Sequence, residues 1–220
     1  MSKEAHQKFW LDRWLSNDTP WHQTEIESFL VEHIQLKKAA RVLVPLCGQS
    51  LDMIWLQNQG HKVVGVELSE KAIQGFFNQH QMNFEIEEIS SFKVFRSRNI
   101  EIIKGDFFDL KSEILGPIDA IYDRAAMIAI SPNLREDYLL KCRELAGSSF
   151  LREDFEWLLI ARESSNQEHQ GPPYDLSFED LKNLCSKWTI VNCLKTRERP
   201  SRSEKPEIVK ESLYRLEAKN

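Results

Sequence analysis

Cysteine is scarce. The chain of 220 residues carries four, at 47, 142, 185 and 193, with no C-x-x-C pair among them. That spacing supplies neither a disulfide framework nor a thiolate zinc site, and it suits the reduced thiols of a cytosolic protein. The six histidines form no H-x-H or H-x-x-x-H pattern beside acids, so no metal is expected. There is no basic excess either: 29 basic against 34 acidic residues leave a net charge of -5, which gives no electrostatic footprint for nucleic acid or an anionic membrane. No charged n-region with an apolar h-region opens the chain, and no apolar run reaches the roughly 18 residues of a membrane span. A cytoplasmic protein with a small-molecule partner is expected, as a monomer. No internal repeat or low-complexity segment appears. What is present is a hydrophobic content of 41%, enough for one domain, 1–220, with a sizeable core.

The organising stretch is Arg41 to Ser69. Val42, Leu43 and Val44 have the look of a buried parallel strand, and Pro45 ends it because proline cannot donate to a ladder. Gly48 lets the backbone bend and approach a ligand. Ser50 is placed to cap an amphipathic helix beginning at Leu51, with Asp52 against its positive end and Gly60 as its stop. Val63, Val64, Gly65 and Val66 then form a second buried strand ending on Glu67. In such β-α-β units a carboxylate about 20 residues past the first turn accepts hydrogen bonds from a nucleotide ribose. A nicotinamide dinucleotide would require G-x-G-x-x-G in that turn, whereas Pro45 to Ser50 contains one glycine. A ligand with a ribose and no pyrophosphate fits better, and S-adenosylmethionine is the common one. The plain alternative is a β-α-β core element with Glu67 as a solvated strand-end acid.

Residues 42–53, VLVPLCGQSLDM, followed by GHKVVGVELSE, resemble the thiopurine S-methyltransferase family, whose cofactor is S-adenosylmethionine. FWLDRW at 9–14, GDFFDL at 105–110, IYDRAAMIAI at 121–130 and HQGPPY at 169–174 follow the same family in the same order. The resemblance implies an α/β, Rossmann-like class I methyltransferase with a seven-stranded, mostly parallel sheet, helices on both faces and an N-terminal helical lid over 1–35. It implies methyl transfer to the sulfur of a thiopurine or another aromatic thiol, with selenium or tellurium compounds as alternative acceptors. A nicotinamide oxidoreductase and a non-catalytic nucleotide-binding module are the readings from other classes.

Along the chain, Ala5 to Ser16 reads as a helix carrying Phe9, Trp10, Trp14 and Leu15, a stripe that elsewhere would be ordinary core. By resemblance Trp10 and Leu46 contact the cofactor, and Trp21, in the loop Asn17 to Gln23, faces the acceptor. A helix from Thr24 to Gln35 leads to the first strand. A hairpin is expected with limbs Phe92 to Phe95 and Ile100 to Ile103. Asp106 and Phe107 follow it where open α/β sheets bind ligands, and could meet an adenine amino group and ring, or be a turn acid and a core aromatic. The next strand, Pro117 to Tyr122, delivers Arg124, a planar donor fork beside the cavity or half of an ion pair with Asp123 or Asp106. By resemblance Arg124 touches both cofactor and acceptor, and is the one residue given a catalytic role. Residues 159–168 depart from the family pattern and put the acceptor wall in doubt. Thr189 to Leu194 and Ser212 to Leu216 are expected as the last strands, with Lys195 to Lys210 a charged, mobile loop. Cys47 reads as a packed thiol and His169 as a loop residue.

Overall fold

Apolar β-branched runs with no polar alternation must bury both faces, and Val42–Val44 and Val63–Val66 do so as the centre of a sheet. The computed structural model describes residues 2–166, 171–201 and 207–219. The strands are β1 (Arg41–Val44), β2 (Lys62–Glu67), β3 (Glu85–Ile89), β4 (Phe92–Ser97), β5 (Ile100–Lys104), β6 (Ala120–Arg124), β7 (Glu156–Ser164), β8 (Thr189–Pro200) and β9 (Ile208–Ala218). The helices are α1 (Lys3–Leu15), α2 (Ser28–His33), α3 (Asp52–Asn58), α4 (Glu70–Gln79), α5 (Ser112–Leu115), α6 (Ala126–Ala129), α7 (Arg135–Ala146) and α8 (Phe178–Cys185).

All nine strands form one sheet in the order β3-β4-β5-β2-β1-β6-β7-β9-β8. The expected strand count of seven is corrected to nine, around the expected parallel centre. The central strands β5, β2, β1, β6 and β7 are parallel, while β3 and β4 on one edge and β9 and β8 on the other are antiparallel. The unexpected strand β3 and the unexpected second half of β8 both come from segments too polar to read as sheet. In β3 the acids Glu85, Glu87 and Glu88 leave an exposed edge that resists pairing with other chains. In β8 the residues after Leu194 were expected to be loop, but Lys195 to Pro200 pair with β9 directly, past a bulge between Cys193 and Lys195. Residues 202–206 of that expected loop lie outside the described residues.

Two apolar layers cover the sheet. One face carries α2, α3 and α4 through Phe29, Leu30, Met53, Leu56, Ile73 and Phe76; the other carries α7 and α8 through Tyr138, Leu139 and Leu181. Of the three serines expected as caps, Ser50 is not the cap of α3 and the other two act as their chemistry requires. Ser69 and Ser177 accept from the Ala72 and Asp180 N–H groups. The expected helix over 24–35 shortens to α2 because the Glu27 side chain caps it at Phe29 and Ile34 is already extended. The next corrected boundary is α3, which starts at Asp52 rather than Leu51, and Asp52 serves a different purpose, taken up below. The expected strand 117–122 is shifted to 120–124, with Asp119 instead accepting from the Arg41 N–H at 2.9 Å. No disulfide forms among the four described cysteines; Cys47, Cys142 and Cys185 are buried and Cys193 is exposed. No described helix is long and apolar enough to cross a membrane.

Candidate active site

The strand order turns at β1, with β2 on one side and β6 on the other, and open α/β sheets form their ligand crevice at such a point, outside the strands' carboxyl ends. A cavity of about 410 Å³ lies there, within the range of small-molecule sites. Leu46 (φ 46°), just beyond β1, and Ala125 (φ 68°), just beyond β6, both occupy the left-handed region at its rim. Non-glycine residues held there carry backbone strain, which tends to collect at functional sites.

At one end stands Glu67. It closes β2 and is buried, its Oε2 accepting the Gly48 N–H at 2.9 Å and its Oε1 the Ser69 N–H at 2.8 Å. Gly48 is required in this turn: its φ is 50°, and a Cβ would meet the Trp14 ring at 3.0 Å. Burial pushes the Glu67 carboxyl up from its ordinary range, and the backbone N–H groups pull it back. Each carboxylate oxygen retains room for a further donor. Cys47 beside it is buried, with its thiol pushed well up by desolvation first and by the Glu67 charge second, so it offers no thiolate nucleophile.

At the other end stands Arg124, the last residue of β6. Its guanidinium is held by charge without being hydrogen-bonded: Nη1 lies 3.4 Å from Asp52 Oδ2 and Nε 3.7 Å from Glu27 Oε2. Both carboxylates are tied elsewhere. Asp52 accepts the Tyr122 hydroxyl and the Glu27 N–H, each at 2.9 Å. Glu27 caps α2 and pairs with Arg197 Nη1 at 2.8 Å. Arg197 in turn binds Glu211, which also holds Arg199 at 2.6 Å. His22 lines the same end, and burial, then the Arg124 charge, lowers its pKa, so it is neutral at pH 7.

Helix α1 and the loop after it cover the cavity with aromatics. Trp10 and Trp21 meet edge to face at 5.0 Å, Trp14 joins Trp21 at 5.7 Å, and Arg13 lies 5.2 Å from the Trp21 ring. The helix is fastened at its start by Lys3, paired with Asp106 at 2.8 Å and Asp109 at 2.9 Å. Asp106 also takes the Gln7 amide and caps the turn at Phe108.

All seven residues singled out in the sequence line this one cavity: Trp10, Trp21, Leu46, Glu67, Asp106, Phe107 and Arg124. Phe107 is largely core, packed on Tyr138 at 5.2 Å, with Phe108 the more open ring. Arg124 pairs with neither of the partners expected for an ion pair. Asp123 points to the opposite face of the sheet, where it accepts from Tyr138 and Met127. The divergent segment continues β7 through Ser164, and Arg162 lines the cavity with Asp175 and Glu207 each 3.4 Å away. His169 lies outside the described residues. The sequence reading missed Glu27, Asp52, His22, Arg199 and Glu211. The period of two in Lys195, Arg197 and Arg199 was the available signal, since it places three cations on one face of a strand.

Residues 5–219 match the family model described as thiopurine S-methyltransferase. The thiopurine S-methyltransferase of Pseudomonas fluorescens (strain Pf0-1) is 37% identical over 187 residues, 83% of each chain. That of Pseudomonas aeruginosa (strain UCBPP-PA14) is 38% identical over 177 residues, 79% of each. The chain belongs to the thiopurine S-methyltransferase family. Solved structures show the same fold at low identity. The 1,6-didemethyltoxoflavin-N1-methyltransferase of Burkholderia thailandensis, crystallised with S-adenosylhomocysteine, has a TM-score of 0.61 at 15% identity, covering 96% of this chain and 87% of that one. Magnesium protoporphyrin IX methyltransferase from Synechocystis, with bound S-adenosylmethionine, has a TM-score of 0.59 at 14% identity, covering 94% and 96%. The fold is therefore that of a class I methyltransferase, an enzyme fold that uses S-adenosylmethionine.

Proposed function

We infer that this chain methylates the sulfur of thiopurines or related aromatic thiols, with S-adenosylmethionine as donor. The observation that carries the reading is a single cavity with a buried, backbone-anchored carboxylate at one end and an arginine free of hydrogen bonds at the other. The residues fit the cofactor: Glu67 has acceptor capacity left for ribose hydroxyls, Leu46 to Gly48 bring backbone close, and Asp106 with the neighbouring Phe107 and Phe108 suits an adenine amino group and ring. The Trp10 ring on the cavity wall suits a cation. Bound there, S-adenosylmethionine supplies a methyl group on a sulfonium that is already a good leaving group.

What the chain must add is positioning and charge. Arg124 offers N–H donors to an ionised sulfur, while Asp52 and Glu27 keep it in place from behind. Trp21 and the prolines Pro172 and Pro173 give flat apolar walls for an aromatic acceptor. Helix α1 acts as a lid that excludes water, tied down through Lys3 and Gln7 to Asp106. The protein works as a cytoplasmic monomer of one domain, the single domain being supported by the continuous sheet.

Titration calorimetry with S-adenosylhomocysteine and NAD, followed by an assay of 6-thiopurine methylation, tests the reading. S-Adenosylhomocysteine is expected to bind, NAD not, and the thiopurine to gain one methyl on sulfur. Binding of NAD, or no methyl transfer to any aromatic thiol, overturns it.

A further inference from the structure

Around Arg124, among the described residues, the cations and carboxylates match one for one. Arg124, Arg197 and Arg199 face Asp52, Glu27 and Glu211. Arg162 at the neighbouring wall has its own partners in Asp175 and Glu207. Glu27 is the pivot of the set. Its side chain is 3% exposed, it lies on the cavity lining, and it stands between two guanidiniums, Arg124 at 3.7 Å and Arg197 at 2.8 Å. Arg197 is itself held over the Phe29 ring at 4.2 Å, so the pair cannot swing apart without disturbing the core. An arginine meant to seize a substrate carboxylate presents its fork uncompensated and bidentate. Here the charge of the fork is already matched by two carboxylates that do not hydrogen-bond to it, which leaves its donors usable and offsets its pull on a second anion.

We propose that Glu27 sets acceptor specificity, as a built-in counter-ion that admits aromatic thiols whose only ionisable group is the reacting sulfur and disfavours those carrying a further anion. The proposal rests on the thiol methyltransferase reading above. It makes Glu27 a specificity residue rather than a catalytic one, acting through the potential at Arg124. Arg197 opposes it, since removing that cation leaves the Glu27 charge uncompensated at the cavity wall.

The test uses two acceptors that share one ring, 4-mercaptobenzoate and its methyl ester, and comparing their ratio between variants cancels the ester's greater thiol acidity. The KM ratio of acid to ester is measured for the wild type, Glu27→Gln and Arg197→Gln. A unit charge a few ångströms from the bound carboxylate moves that ratio by about tenfold. The wild type is expected to favour the ester. Glu27→Gln should lower the ratio about tenfold and Arg197→Gln should raise it, so the second variant carries the test with opposite sign if the first does not fold. Equal shifts for acid and ester in whichever variants fold, or a wild type that prefers the acid, overturn the proposal. A wild type that methylates neither compound, nor 6-thiopurine, overturns the function reading itself and the proposal with it.

Discussion

At the Glu67 end of the cavity the carboxylate is satisfied by backbone, whereas at the Arg124 end side chains satisfy one another. Glu67 takes N–H groups of Gly48 and Ser69, 19 and 2 residues away. Arg124 is held by Asp52 and Glu27, and Glu27 by Arg197, 170 residues on. The first arrangement is made by the β-α-β unit itself and survives changes elsewhere. The second exists only when β6, α2, α3, β8 and β9 have all assembled, so its residues hold fold and function together. Removing a group from the Glu67 end should therefore cost ligand affinity, and from the Arg124 end stability.

The largest effect is expected from Asp52→Ala. It strips a buried acceptor from the Tyr122 hydroxyl and the Glu27 N–H and leaves Arg124 short of a counter-charge. Breaking a buried pair in this way costs about 3 to 5 kcal/mol. Urea unfolding without ligand checks it against Glu67→Ala. If the two variants lose the same stability, the contrast between the ends is false.

The two neighbours on β6 sharpen the contrast across the sheet. Asp123, on the face away from Arg124, has no cation beside it among the described residues and is held at 2.7 Å by the Tyr138 hydroxyl. Burial raises its carboxyl from 3.8 to about 6. The folded protein then binds the proton more tightly than the unfolded chain does. The stability this gives is complete below the unfolded value and is lost as pH rises through about 6, a change of about 3 kcal/mol. Asp123→Asn should gain stability over wild type at pH 7 and match it near pH 4. A difference between the two proteins that stays flat from pH 4 to 7 would show that Asp123 titrates normally.

Smaller, and read in ligand binding, is Glu67→Ala. Losing a charge-assisted hydrogen bond costs about 1.5 to 3 kcal/mol, or roughly 10- to 150-fold in affinity for S-adenosylhomocysteine. Unchanged affinity by calorimetry would remove Glu67 from the ribose role proposed for it.

The same contrast governs what could be read from the chain. Val42 to Glu67 is a local unit, so its strands, its one-glycine turn and its terminal acid were legible from spacing. The hairpin of β4 and β5 and the caps at Ser69 and Ser177 were legible for the same reason. Lys195 to Pro200 was not, because a strand whose inner face binds carboxylates carries charges where a core strand carries apolar residues, and so reads as loop. Asp52 shows the limit best. At the first turn of a helix a carboxylate normally serves the helix dipole, and only the tertiary fold reveals that this one is buried against Tyr122 and Arg124.

The smallest effect should come from His22, and it decides how the acceptor loses its proton. The residue lines the cavity near Arg124, and burial together with that charge keeps it neutral, so it has the form a general base requires. Yet a base is needed only if the thiol arrives protonated, and aromatic thiols ionise readily while Arg124 favours the anion. With two aromatic thiols of different acidity, the inflection of kcat/KM against pH should follow each thiol's own pKa. His22→Ala should then change the limiting rate by less than about threefold, since a lost general base typically costs a hundredfold or more. If both thiols instead share one inflection in the wild type, and it vanishes in His22→Ala, the imidazole takes the proton and Arg124 serves a thiol that is ionised only within the site.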